Sequence, residues 1–159
     1  MKNKIKTNLI PITGEENMGN LTEPFQALVQ FYRAFNNRDL TLMSNNWEQS
    51  QEIAMDNPLG GIRRGWNEIK EVYEKIFNGP ARVYVEFFDY TIYKGKDMFY
   101  AVGRERGEFS IGNKKVNLAI RTSRVFKFFD GKWKQVHHHG SIDKPELLKE
   151  YQEAVLRKD

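Results

Sequence analysis

The chain has no cysteine among its 159 residues. This excludes disulfides, thiolate metal sites and cysteine nucleophiles, and it is compatible with a reducing compartment. No apolar run approaches the length of a membrane span. The net charge is only +4, and the basic residues form no dense stripe with interleaved aromatic residues. We therefore expect a cytoplasmic protein that binds neither membranes nor nucleic acid.

The length suits one domain with one core, and 11 Phe, 7 Tyr and 3 Trp supply ample material for that core. Residues 1–20 are polar and basic and contain no continuous apolar segment of the kind found in signal peptides. We expect this segment to be a flexible leader. No linker or repeat follows it, so residues 21–159 are predicted to form a single domain.

The spacing of apolar residues changes along the chain. Helical spacing predicts helices near residues 22–36, 40–47, 65–79 and 145–158. Alternating spacing and turn signals predict a short strand within 52–61 and a four-stranded meander over 81–97, 98–113, 114–131 and 132–143. Helices that precede a meander indicate an α+β fold, with the helices packed on one face of a curved, mostly antiparallel sheet.

All three histidines of the chain are consecutive and lie in the last predicted strand. The Asp-Gly turn signal at 130–131 sets a hairpin register that pairs Arg124 with His137. Because side chains alternate along a strand, His137 and His139 then point to the same aromatic face as Arg124, and His138 points away. This register predicts two inward histidines beside one arginine.

Several interpretations of these histidines are open. A purification tag is disfavoured because the histidines continue an alternating strand. A metal site is disfavoured because two histidines need further ligands and Arg124 would repel a cation, so we expect no metal and no other cofactor. The remaining interpretations are structural histidines that satisfy buried hydrogen bonds, or His137 and His139 as ligand contacts or proton-transfer groups.

A second arginine is predicted to lie beside the first. A three-residue loop at Asn113–Lys115 would place Arg104 directly opposite Arg124, and like charges in such a pair destabilise a sheet. Either the two arginines hold an anion, or a carboxylate such as Glu86 or Glu105 pairs with one of them, or both are ordinary arginines exposed to solvent. If they hold an anion, removing one arginine in the absence of ligand should be neutral or stabilising.

Three stretches, "LVQFYRAFNNRDL", "AMDNPLGGIRRGWNEI" and "TSRVFKFFDGKWKQVHHHGS", resemble the SnoaL-like branch of the nuclear transport factor 2-like superfamily. The resemblance spans roughly residues 22–142, and its last block is the most specific. The chain is also similar to the association (hub) domain of calcium/calmodulin-dependent protein kinase II. The resemblance implies a cone-shaped fold in which a strongly curved sheet wraps around N-terminal helices, with a deep inner pocket and homodimers that form through the outer sheet face.

The resemblance also bears on individual pocket residues. Arg104 and Arg124 match two positions at which the hub domain uses arginine to bind small carboxylates, whereas its third arginine is Gly140 here. Strict alternation would turn residue 140 away from Arg124, so the resemblance implies a bulge near His138. Ketosteroid isomerases of this fold use an aspartate base where this chain has Asn57, which cannot accept a proton. Dehydratases of this fold use a His–Asp pair.

The sequence therefore predicts a homodimeric protein that binds a small polar or anionic organic molecule, carboxylates included. The expected ligand contacts are Arg104, Arg124, His137, His139, Tyr100 and Asn57. One alternative is a cofactor-free lyase or isomerase with His137 or His139 as general base. Another is a homo-oligomeric assembly module without catalysis. The residues expected on the outer, dimer-forming face are Val125, Val136 and Phe129.

Overall fold

The computed structural model describes residues 7–156, and within them it places four α-helices and one six-stranded sheet. The helices are α1 (Glu23–Asn36), α2 (Leu40–Asn46), α3 (Gly65–Asn78) and α4 (Pro145–Leu156), with a 3-10 turn at Met18–Asn20. The strands are β1 (Ala54–Asp56), β2 (Ile62–Arg64), β3 (Arg82–Lys94), β4 (Met98–Ile111), β5 (Lys114–Phe129) and β6 (Lys132–Ile142). Their order is β2-β1-β6-β5-β4-β3, and only β1 and β6 pair in parallel. The predicted α+β fold is confirmed.

One face of the sheet, here called the inner face, packs against the helices. It carries Val116, Leu118 and Ile120 of β5, which are all buried, whereas the residues between them are more exposed. Helix α1 covers this face with the fully buried Leu28 and Tyr32. The period-two pattern of β5 therefore builds the floor on which the helices lie.

Local signals explain where the first helices begin. Pro24 lies in the first turn of α1, where its missing N–H is not needed, although the Thr22 side chain makes no capping bond. At α2, the carboxylate of Asp39 accepts a hydrogen bond from the Leu42 N–H at 2.8 Å and caps the helix. None of the helices within residues 7–156 is long and apolar enough to span a membrane.

The turn between β4 and β5 is tighter than predicted. It contains only Gly112-Asn113, and the glycine adopts a left-handed conformation with φ of 54°. The resulting register pairs Arg104 with Arg121 and Arg124 with Ala101. The predicted three-residue loop, and with it the Arg104–Arg124 pair, is therefore wrong.

The last hairpin begins as predicted and then departs from strict alternation. Phe126 pairs with Gln135, but the preceding residue of β5, Val125, pairs with His137. The extra residue, Val136, forms a β-bulge in β6. A bulge places two residues of one strand opposite one residue of the other and so shifts all later side chains by one position.

The bulge reverses the orientation of the three histidines. His138 pairs with Arg124 and is only 6% exposed on the inner face. His139 lies on the outer face with a side chain that is 52% exposed, and His137 shares that face. The prediction that His137 and His139 point inward is wrong, whereas the bulge near His138 that the family resemblance implies is confirmed.

Part of the N-terminal segment packs against the edge of the sheet. The Asn8 N–H donates to the Tyr90 carbonyl and the Ile12 N–H to the Phe87 carbonyl, both at 2.8 Å, so that the segment runs antiparallel to β3. Ile12 is 3% exposed. This pairing differs from the flexible leader that the sequence predicts over residues 1–20, of which residues 1–6 lie outside the described part of the chain.

Candidate functional site

A cavity of about 610 Å³ lies between the inner face of the sheet and helices α1, α3 and α4. Its walls are mostly apolar, as expected where amphipathic helices face a sheet. The apolar lining includes Phe35, Val72, Ile76, Leu118, Ile120 and Val155. A cavity of this volume is large enough to enclose a drug-sized organic molecule.

A buried ion pair forms part of the cavity lining. Arg124 on β5 donates through Nη2 to the Glu105 Oε1 atom on β4 at 2.7 Å, and the two side chains are only 2% and 5% exposed. The Tyr32 hydroxyl donates to the same carboxylate oxygen at 2.6 Å, and Arg124 Nη1 donates to Gln135 Oε1 at 2.8 Å. Both charges are therefore paired and hydrogen-bonded, as buried charges must be.

This polar network extends from the sheet into the helices. Gln135 Nε2 donates to Asn46 Oδ1 at 3.1 Å, and Asn46 Nδ2 donates to the Ala27 carbonyl at 2.9 Å. Burial raises the pKa of Tyr32 well above 10, and the neighbouring Glu105 carboxylate raises it further, so Tyr32 acts as a neutral donor. The guanidinium of Arg124 also stacks over the Phe31 ring, 3.5 Å from its centroid.

Two further polar side chains face the cavity with few partners. Both ring nitrogens of His138 lack a hydrogen-bond partner among residues 7–156. Burial lowers the pKa of His138 well below 6.5, and the positive charge of Arg124 lowers it further, so the imidazole is neutral at pH 7. The Tyr73 hydroxyl makes a long contact of 3.7 Å to the Met55 sulfur, and burial raises its pKa to about 12.

Of the predicted contact residues, only Arg124 and Asn57 line this cavity. Arg104 lies on the outer face, where it forms ion pairs with Asp143 and Asp89, the latter with a distance of 3.4 Å from Nε to Oδ2. Tyr100 is also on the outer face and is 40% exposed. The structure therefore does not bring Arg104 and Arg124 together, and the predicted anion site between the two arginines is not formed.

The two outward histidines contact β1 instead of the cavity. His137 Nδ1 lies 3.0 Å from the Ala54 carbonyl oxygen, and His139 Nδ1 lies 2.7 Å from Asp56 Oδ2. The fold thus contains a His–Asp pair, but this pair is outside the cavity. Within residues 7–156 no group of three or more histidine, aspartate or glutamate side chains is arranged to hold a metal ion.

A side chain at residue 140, which the resemblance matches to a third arginine of the hub domain, would crowd the turn after β1. A Cβ atom on Gly140 would lie 2.6 Å from Cγ of Pro58, which is too close for ordinary contact. Asn57, in the adjacent turn, accepts a hydrogen bond from the Leu59 N–H at 2.9 Å through Oδ1. The turn after β1 therefore closes over the glycine and borders the cavity.

Three cavity residues were not among the predicted site residues. Glu105 follows Arg104, and because the predicted register places Arg104 inward, alternation turns Glu105 outward and leaves it only as a partner for an arginine. The register predicted from the sequence contains no bulge and therefore turns His138 outward. Tyr73 lies among the buried apolar residues of α3, so helical spacing alone gives no reason to select it as a site residue.

Comparison with protein families and curated proteins gives one family and one relative. The profile of the SnoaL-like domain family matches residues 25–144. The F-box protein SKIP8 of Arabidopsis thaliana is 24% identical over 123 residues, which correspond to 71% of this chain and 46% of that protein. The chain therefore spans about half the length of this relative.

Solved structures share the fold at low sequence identity. A protein from Thiobacillus denitrificans, assigned as a calcium/calmodulin-dependent protein kinase type II association domain, is 22% identical with a TM-score of 0.66, over 78% of this chain and 98% of that one. A protein from Streptomyces avermitilis, assigned as a dehydratase of the NTF2-like family, is 20% identical with a TM-score of 0.68, over 77% and 94%. An uncharacterised protein from Caulobacter vibrioides with a cystatin-like fold is 19% identical with a TM-score of 0.60, over 84% and 95%.

Proposed function

The chain belongs to the SnoaL-like domain family, and from this premise we propose that it binds a small organic molecule in the inner cavity. The observation that carries this proposal is the cavity itself. It is about 610 Å³ in volume, has mostly apolar walls and contains a few convergent polar groups, among them Arg124, Glu105 and His138. Apolar walls with a few fixed polar groups are typical of small-molecule sites.

The charge of this pocket differs from the partly basic pocket that the sequence predicts. Arg104 is outside the cavity, and Arg124 is held by Glu105 at 2.7 Å. An anionic ligand at Arg124 would have to compete with a carboxylate that is already in place. We therefore propose a ligand with an apolar body and a polar end, and we do not retain carboxylates as its expected class.

A cofactor-free lyase or isomerase is a second candidate, with His138 replacing His137 and His139 as general base. A neutral imidazole in a mostly apolar cavity can accept a proton, and the ring nitrogens of His138, which have no partner within residues 7–156, favour this role. The fold similarity to a protein assigned as a dehydratase is compatible with it. A reaction rate that is abolished in His138→Gln and falls as the pH drops through the pKa of His138 would support the enzyme.

We also propose that two copies pair through the outer face of the sheet, in the cytoplasm. An apolar patch supports this pairing, because Tyr93, Met98, Tyr100 and Val102 are neighbours on β3 and β4 and are each 40–64% exposed. Contiguous apolar surface of this kind is usually covered by a partner. The cavity lies on the opposite side of the sheet from this patch, and its presence favours a ligand-binding dimer over a pure assembly module.

A cavity-filling substitution tests the binding proposal. Leu118→Trp adds a bulky ring on the inner face, whereas Asn117→Trp adds the same ring one residue away on the exposed outer face. The fluorescence of the uncharged probe N-phenylnaphthylamine should rise on binding to the wild type and to Asn117→Trp, but not to Leu118→Trp. Equal binding by both variants, with melting curves that show both to be folded, would place the probe outside the cavity.

A further inference from the structure

The strongest unexplained feature of the cavity is the lack of partners for His138. The side chain is 6% exposed, and neither ring nitrogen is hydrogen-bonded to any group within residues 7–156. Arg124, its neighbour across the sheet, uses its guanidinium for Glu105, Gln135 and Tyr32. Buried polar atoms are nearly always paired, so the two nitrogens indicate that something else supplies the partner.

The ionisable groups that line the cavity carry no net charge. Three are basic and three are acidic, and they are Arg63, Lys75, Arg124, Glu68, Glu71 and Glu105. The two tyrosines of the lining, Tyr73 and Tyr151, have pKa values that burial raises to about 12, so both are neutral at pH 7. His138 is neutral as well. Arg63, Lys75, Glu68 and Glu71 are exposed, whereas Arg124 and Glu105 are buried and pair with each other at 2.7 Å. A ligand that brought a charge to the buried end of this cavity would lose its hydration without gaining an unpaired counter-charge.

We propose that the natural ligand is an uncharged, largely apolar molecule whose one essential polar group is a hydroxyl that hydrogen-bonds to His138. This inference rests on the binding function proposed above and specifies the class of ligand. A neutral imidazole has one nitrogen that donates and one that accepts. A hydroxyl both donates and accepts, so it can pair with either nitrogen, whichever tautomer is present. The apolar body of the ligand matches the aliphatic and aromatic walls.

Three probes that share the naphthalene ring system test the hydroxyl and the charge of the ligand separately. Naphthalene has no polar group, naphthol carries a neutral hydroxyl, and naphthoate carries a charged carboxylate at pH 7. In titration calorimetry we expect naphthol to bind the wild type roughly 2- to 10-fold more tightly than naphthalene, the range for one added hydrogen bond. Naphthoate should bind roughly tenfold or more weakly than naphthol, because its charge is not compensated.

Substitutions then assign the hydrogen bond to one residue. His138→Phe keeps an aromatic ring without nitrogen and should remove the preference for naphthol over naphthalene, whereas His138→Gln should keep part of it. His139→Phe, the matched change on the outer face, should leave the preference intact. The wild-type comparison of the three probes needs no variant, so the proposal stays testable even if His138→Phe does not fold.

The outcomes separate this inference from the proposed function. If naphthoate binds more tightly than naphthol, or if the naphthol preference persists in a folded His138→Phe variant, the ligand class is wrong although the cavity is a binding site. If none of the three probes binds the folded wild type, the proposed binding function fails, and the inference fails with it.

Discussion

Replacing Arg124 by glutamine should strongly destabilise the protein, because it leaves the Glu105 carboxylate buried without a cation. The Glu105 side chain is 5% exposed, so water cannot take over from the lost guanidinium. Breaking a buried ion pair by removing one partner costs about 3–5 kcal/mol. For a chain of this length that corresponds to a fall in melting temperature of roughly 6–20 °C. The structure thus reverses the neutral or stabilising effect that an Arg104–Arg124 pair would predict.

The free energy of unfolding is measured by urea titration, followed through the fluorescence of the three buried tryptophans, Trp47, Trp66 and Trp133. The double variant Glu105→Gln with Arg124→Gln should be more stable than Arg124→Gln alone, since no unpaired charge then stays buried.

A surface pair on the same sheet provides the control. Arg106 Nε lies 2.6 Å from Glu86 Oε1, about the same separation as the buried pair, but the Arg106 side chain is 52% exposed. Arg106→Gln should cost less than about 1 kcal/mol, because exposed ion pairs contribute little. If Arg124→Gln costs no more than Arg106→Gln, or if the double variant is no more stable than Arg124→Gln, the reasoning from burial is refuted.

Other features of the molecule give three more predictions. Burial lowers the pKa of His138 in the folded chain well below 6.5, whereas the unfolded chain binds a proton there, so this residue should lower the free energy of unfolding as the pH falls from 7 to 5, by up to about 2 kcal/mol. Urea titrations at both pH values should show this part of the loss in wild type and in His139→Gln but not in His138→Gln, and equal losses in all three would contradict it. Tyr100→Glu, on the exposed outer face, should convert the proposed dimer into a monomer in light scattering at micromolar concentration, and a monomeric wild type would disprove that pairing. Zinc should not raise the melting temperature, whereas a saturable rise that disappears in His137→Ala would reveal a metal site.

Element types could be predicted from the sequence because each depends on neighbouring residues. The apolar spacing of α1 and α3, the alternation of β3 to β6 and the Asp-Gly turn at 130–131 are all local signals, and the structure contains each of these elements. The turn at Asp130-Gly131 has positive φ at both residues, 46° and 80°, as a two-residue hairpin requires.

The site could be predicted only in part because it depends on how strands align with one another. Alternation correctly placed Arg124 on the inner face, but it says nothing about the length of the Gly112-Asn113 turn or about a bulge. The parallel pairing of Met55 with His138 joins residues that are far apart in the sequence, and no local pattern indicates it. The tighter turn shifts the partner of Arg104 by three residues, from Arg124 to Arg121. The bulge at Val136 turns His138 inward and His137 and His139 outward.

The extra residue at Val136 turns every later side chain of β6 to the opposite face of the sheet. A relative with the same residues but a flat strand would offer its cavity two imidazoles, from the positions of His137 and His139, in place of one from His138. A relative that simply lacked Val136 would keep the single inward imidazole. Pocket chemistry in this strand therefore depends on whether residue 136 is bulged or paired, as well as on residue identity. A change that flattened the bulge would exchange one pocket for the other without substituting any of the three histidines.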